Sequence, residues 1–193
     1  MGMASVKSTT VFWLVGCAAL LAGGGCSTVV SPVPVGEGPA LLTPEEWDGE
    51  WYHPEGTVTL NVLDPHGGVL EAAFVQKDSQ SGGRLRMQSV RVLITKAGDW
   101  FLCNFRPEDD PKRGYLWGRI RTEPKRILVW FPNAIKFANL VKKGILPGTV
   151  DDKGNVELGT LNPDHLKVIV GEAEGTLFVW DSPLVLFRRT GGQ

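Results

Sequence analysis

The chain of 193 residues carries 20 basic and 21 acidic side chains, a net charge of −1, with 42% hydrophobic residues. That length can bury one domain's apolar core, and near-neutrality removes the electrostatic case for a nucleic-acid partner. Two of the three cysteines fall within the first 26 residues, so Cys103 stands alone in the body of the chain, which no internal disulfide can staple.

In chain order, Lys7 precedes an apolar run from Val11 to Ala22 that closes on Gly23-Gly24-Gly25-Cys26. Positive flank, short apolar segment and small residues follow one another as in an export signal. A cysteine at the cleavage point resembles the lipobox of bacterial lipoproteins. In that family the signal is cut before the cysteine, which then carries fatty chains. Leu14-Val15-Gly16-Cys17 matches the lipobox pattern better but leaves a short apolar segment ahead of it; Cys26 has the full segment and Ser27 behind it. Cys26 is therefore taken as the lipidation site, with Cys17 as the alternative. A retained anchor is a further reading, since the run sits at the lower edge of a membrane span and its glycines make a poor helix. The resemblance implies a signal peptide over 1–25, palmitate-type acylation, and a protein held to the bacterial cell envelope by its N-terminal lipid. Ser27 implies the outer membrane, facing the periplasm. Several acyl chains anchor stably where one does not.

Residues 26–42 are rich in Pro and Gly, carry little charge and show no period, which reads as a flexible tether. Thr43-Pro44-Glu45-Glu46 has the layout of a helix start, with Thr43 as N-cap and Glu46 as capping-box partner. From there the pattern is mainly β. Val58, Leu60 and Val62 alternate with polar residues, Asp64-Pro65-His66-Gly67-Gly68 is turn chemistry, and Val69 to Lys77 returns as the partner strand. In the next strand Leu85 and Met87 share one parity and Val90, Val92 and Ile94 the other, which predicts a bulge near Gln88 and Ser89. Trp100 to Phe105 is apolar on both faces and should be covered on both. A charged loop spans 106–113, and a hairpin follows around Thr122 to Lys125. Asn133 caps a helix whose stripe is Ala134, Phe137, Ala138 and Val141, ended by Gly144. Val150 to Val156 is a hairpin loop, Asn162-Pro163-Asp164-His165 opens a short helix, and strands are expected at 176–180 and 184–189.

About eight short strands with tight turns point to a sandwich, a curled open sheet or an up-and-down barrel over residues 43–193. Trp47-Asp48-Gly49-Glu50-Trp51 places Gly-x-Trp after a one-turn helix, and the last strand ends in Phe187-Arg188-Arg189. This resembles the lipocalin/calycin superfamily, in which an arginine of the last strand packs across the first-strand indole. The resemblance implies an antiparallel calycin-like barrel with one inserted amphipathic helix, closed by Gly49, Trp51 and Arg188 or Arg189.

His53, His66 and His165 are scattered without ligand spacing, Cys103 sits in apolar alternation as a small hydrophobe, and neither a nucleophile elbow nor a phosphate loop occurs. The reading is therefore non-enzymatic, without metal or cofactor. Trp100, Phe101, Phe105, Tyr115, Trp117 and Trp130 are candidate lining for a small apolar or amphiphilic ligand. Basic residues Arg113, Arg119, Arg121, Lys125 and Arg126 cluster near one hairpin and could meet an anionic headgroup. The alternative is a filled barrel serving envelope interaction or assembly through its surface, with a protein partner that the sequence does not name.

Overall fold

The structure, a computed structural model, describes residues 27–54, 56–77, 85–107, 113–171 and 177–189. The proposed leader with Cys17 and Cys26, the 78–83 loop and most of the charged 106–113 loop lie outside the described residues. In chain order the elements are β1 (Val29–Ser31), β2 (Gly38–Pro39), α1 (Pro44–Trp47), β3 (Gly49–His53), β4 (Gly56–Asp64), β5 (Val69–Lys77), β6 (Leu85–Ala97) and β7 (Trp100–Phe105). Then come β8 (Tyr115–Glu123), β9 (Arg126–Trp130), α2 (Ala134–Lys142), β10 (Gly148–Val150), β11 (Val156–Leu158), α3 (Pro163–Val170) and β12 (Leu184–Arg188).

Eight of these strands close into an antiparallel barrel of calycin-like architecture. Strands β3 to β9 form a meander, and β12 returns to lie between β9 and β3, pairing Leu184 with Val129 and Arg188 with Trp51. Strand β12 thereby closes the barrel, and the β8–β9 hairpin pairs from Arg119↔Trp130 to Glu123↔Arg126. Upstream of this hairpin, Val30 and Ser31 of β1 take up the same edge of β8 at Leu116 and Tyr115. Strand β11 joins β1 in parallel and β10 pairs antiparallel with β11, forming a small wing.

Strand alternation divides the apolar residues into two cores. Inside the barrel, Trp51, Leu60, Leu70, Phe74, Val92, Ile94, Phe105, Ile120 and Ile127 belong to one buried cluster. Outside the wall, Leu102, Trp117 and Trp130 pack with Phe137 of α2, Leu166 and Ile169 of α3, and Phe178 in a second cluster. Strand β7 feeds both, as its two apolar faces require.

Several expectations are corrected. Residues 27–42 are no tether: Val29, Val30, Val35, Ala40 and Leu42 are buried. Asn104, itself 0% exposed, accepts from the Val35 amide at 2.7 Å and donates to its carbonyl at 3.1 Å. The five buried apolar residues outweigh a Pro/Gly composition that otherwise reads as linker. Further on, Ala40 donates to Ile94 and Leu42 to Pro65, so this segment crosses one barrel end and Ala40, Leu42 and Trp47 plug it. Strand β6 has no bulge; its register with β5 is unbroken from Lys77↔Leu85 to Val69↔Leu93. Met87 simply faces outward, 75% exposed, and the register shift lies in β4 between Val62 and Asp64. Thr43 makes no side-chain cap bond to α1. In the expected strand at 176–180, Phe178 makes only an isolated bridge to Pro132, because this segment crosses the outer wall under the helices.

Candidate functional site

The first and last barrel strands meet at Trp51. Its indole is fully buried, its Nε1 donates to the Trp47 carbonyl at 2.8 Å, and the Arg188 guanidinium lies 4.6 Å from the ring centroid. Gly49 has φ +129°, which an L side chain would not tolerate, and it turns the chain from α1 into β3. Arg188 Nη2 donates to the carbonyls of Glu45 and Glu46 at the end of α1. The neighbouring Arg189 instead makes an exposed ion pair with Glu50 at 3.2 Å. Barrel, helix and cation are thereby joined at one point.

The six candidate lining residues do not converge. Phe101 and Phe105 pack with the interior cluster, together with Cys103. Trp100, Trp117 and Trp130 belong to the outer cluster, and Tyr115 lies under the Arg106 guanidinium, 4.4 Å from its ring centroid. Within the interior cluster Trp51, Ile94 and Ile127 are all 0% exposed.

The outer wall instead assembles a mixed cation–aromatic site. Arg119 Cζ stands 3.8 Å from the Trp100 ring centroid, 4.7 Å from that of Trp180 and 5.6 Å from that of Trp130. Trp130 and Trp180 are 4.9 Å apart, and Trp100 meets Trp180 edge-on at 6.2 Å. Three elements build this arrangement: β7 brings Trp100, the β8–β9 hairpin sets Arg119 opposite Trp130, and the segment entering β12 lays Trp180 across them. Burial, and secondarily the like charge of Arg121, hold the Arg119 pKa below its ordinary value. Sequence reasoning places Arg119 in a basic cluster and Trp100 and Trp130 in an aromatic one without joining them. The hairpin register, countable outward from Pro124-Lys125, is the signal that pairs Arg119 with Trp130.

Elsewhere the polar groups are engaged locally. A cleft of about 380 Å³ beside the wing is lined by Thr28, Arg113, Thr149, Asp151, Asn155 and Glu157 among others. There the Asn155 side chain donates to Asp151 at 2.7 Å, which holds the carboxyl below its ordinary pKa, and Arg113 donates to Thr28 at 3.2 Å. Burial pushes the Cys103 thiol up to about 12, and its sulfur lies 3.4 Å from the Gly118 carbonyl. His165 completes the capping box of α3 with Asn162. Among the described residues no three His, Cys, Asp or Glu gather closely enough to hold a metal ion. No protein-family model, curated protein or solved structure matches this chain.

Proposed function

We propose that this is a lipid-anchored, non-catalytic protein of the bacterial envelope whose barrel is a filled scaffold working through its outer surface. The observation that carries this reading is the division of the aromatic side chains. Phe101 and Phe105 pack with the interior cluster, whereas the half-buried Trp100 and Trp180 stand on the outer wall. Anchoring is supported by the order of Lys7, the apolar run and Cys26 in the sequence.

With acylation at Cys26 the folded body would begin at once, because Ser27 donates to the Lys153 carbonyl and Val29 opens β1. The barrel would then rest against the bilayer. Acylation at Cys17 would interpose a spacer reaching roughly 30 Å when extended.

Native mass spectrometry of the protein purified from its own membrane, with a Cys26→Ala variant beside it, tests the reading. The expected result is an acylated chain beginning at Cys26, free of any non-covalent passenger, and loss of acylation in the variant. A retained apolar or amphiphilic molecule would overturn the filled barrel in favour of an interior ligand. An unacylated chain with residues 1–25 intact would overturn the anchoring.

A further inference from the structure

We propose that the Arg119 cluster is a binding site for an oxyanion, a carboxylate or phosphate group carried on an apolar or aromatic body. The chain contains its own comparison. Arg188 also lies over an indole, but its Nη2 is spent on two carbonyls of α1. Arg119 lies over Trp100, with Trp180 beside it at right angles to that ring, yet no described residue accepts a hydrogen bond from it or pairs with its charge. A guanidinium carries its donors in its plane, and the contact of its Cζ with the Trp100 ring takes up none of those donors. The only carboxylate of the hairpin, Glu123, is taken by Arg121 and Arg126.

Charge and burial point the same way. From Tyr115 to Phe131 the chain holds Arg119, Arg121, Lys125 and Arg126 against Glu123 alone. Arg119 is partly withdrawn from water without a counter-charge among the described residues, and an oxyanion would supply one. Asp99 and Asp181, next in the chain to Trp100 and Trp180, are exposed and form no ion pair with it. Trp180 adds an Nε1 donor that is buried without a partner, in a ring whose centroid is 4.7 Å from the guanidinium. An arginine already packed against three indoles loses little freedom when it engages a planar anion. The half-buried Trp100 and Trp180 offer ring surface to an apolar body.

This inference rests on the outer wall being the working surface, but its test is separate: failure here would leave the anchoring and the filled interior untouched. The ¹⁵N-labelled full chain, held in phosphatidylcholine nanodiscs, is titrated with phenyl phosphate and benzoate, and with benzyl alcohol and benzylamine as neutral and cationic counterparts. The two anions are expected to shift the Arg119 Nε–H and Trp180 Nε1–H resonances, and the counterparts to leave them in place. Arg119→Gln should weaken anion binding at least tenfold, with Arg113→Gln as a control that does not. Should Arg119→Gln fail to fold, the wild-type resonances carry the test. Nanodiscs containing phosphatidylglycerol, without soluble probe, separate the sources: a shift there assigns the oxyanion to a lipid headgroup, and a shift with aryl anions alone assigns it to a soluble ligand. An equal response to benzyl alcohol, an unchanged affinity in folded Arg119→Gln, or no shift in either series would overturn the proposal.

Discussion

Among the described residues two arginines lie over tryptophan rings, and what their N–H groups meet sets their roles. Arg188 joins the Trp51 face to the end of α1, so Arg188→Ala removes a cation–π contact and leaves the Glu45 and Glu46 carbonyls without that donor. A loss of about 1–2 kcal/mol is expected in urea unfolding. Arg189→Ala should cost less than about 1 kcal/mol, because its pair with Glu50 is exposed. The two variants side by side show which arginine closes the barrel. At Cys103 burial acts on a group that would gain charge by losing a proton. With its pKa raised to about 12, the thiol stays protonated and shielded, so a disulfide reagent at pH 8 should leave the native protein unmodified. Stoichiometric reaction is expected once denaturant exposes the side chain, and rapid labelling of the native state would contradict the burial.

At the scale of elements, local chemistry decides some ends and packing decides others. Helix α3 has a complete capping box, in which Asn162 accepts from the His165 amide at 2.9 Å and His165 Nδ1 accepts from the Asn162 amide at 3.1 Å. Asn162→Ala should therefore lower stability by about 1 kcal/mol, read as a shift in the urea midpoint with unchanged slope. Helix α1 has no such bond; it is held by burial of Trp47 and by Arg188. The β10–β11 hairpin turns on Asp151, which accepts from the amides of Lys153 and Asn155 and from the Asn155 side chain. Its pKa is lowered in the folded protein, so the contribution is present above the unfolded value near 3.8 and lost as pH falls through the lower folded value. The protection of the Asn155 amide against exchange, relative to its intrinsic rate at each pH, should fall as the pH drops below about 4, and Asp151→Asn should remove that pH dependence.

For the whole molecule, the N-terminal segment is as much a part of the barrel as the strands it crosses. Asn104 fixes it through Val35, with Thr95 donating to the same Val35 carbonyl, and β2 pairs with Thr95 and Lys96. Asn104→Ala leaves a buried amide and carbonyl short of partners, and a cost of about 2–4 kcal/mol is expected. A residue holding a tether would cost almost nothing. If Asn104→Ala unfolds with the wild-type midpoint, the segment is not part of the cooperative unit.

Much of this architecture was legible in residue order. Alternation found the strands from Val58 to Phe105 and the β8–β9 hairpin, and Gly49, Trp51 and the pair Arg188-Arg189 marked where a barrel would close. The caps at Asn133 and Asn162 were equally plain, because a capping side chain bonds within three residues of itself. Long-range partners were not legible. Composition made 26–42 a linker because the acceptor for the Val35 amide, Asn104, lies 69 residues away. The parity change at Met87 suggested a bulge, since alternation shows that the apolar face has switched without showing what covers either side. An aromatic census likewise could not separate Phe101 and Phe105 inside the wall from Trp100, Trp117 and Trp130 outside it. Pairing within a strand or turn is written in neighbouring residues, whereas the side of a closed wall on which a ring falls, and what lies upon it, depends on contacts between distant segments that exist only once the barrel has formed.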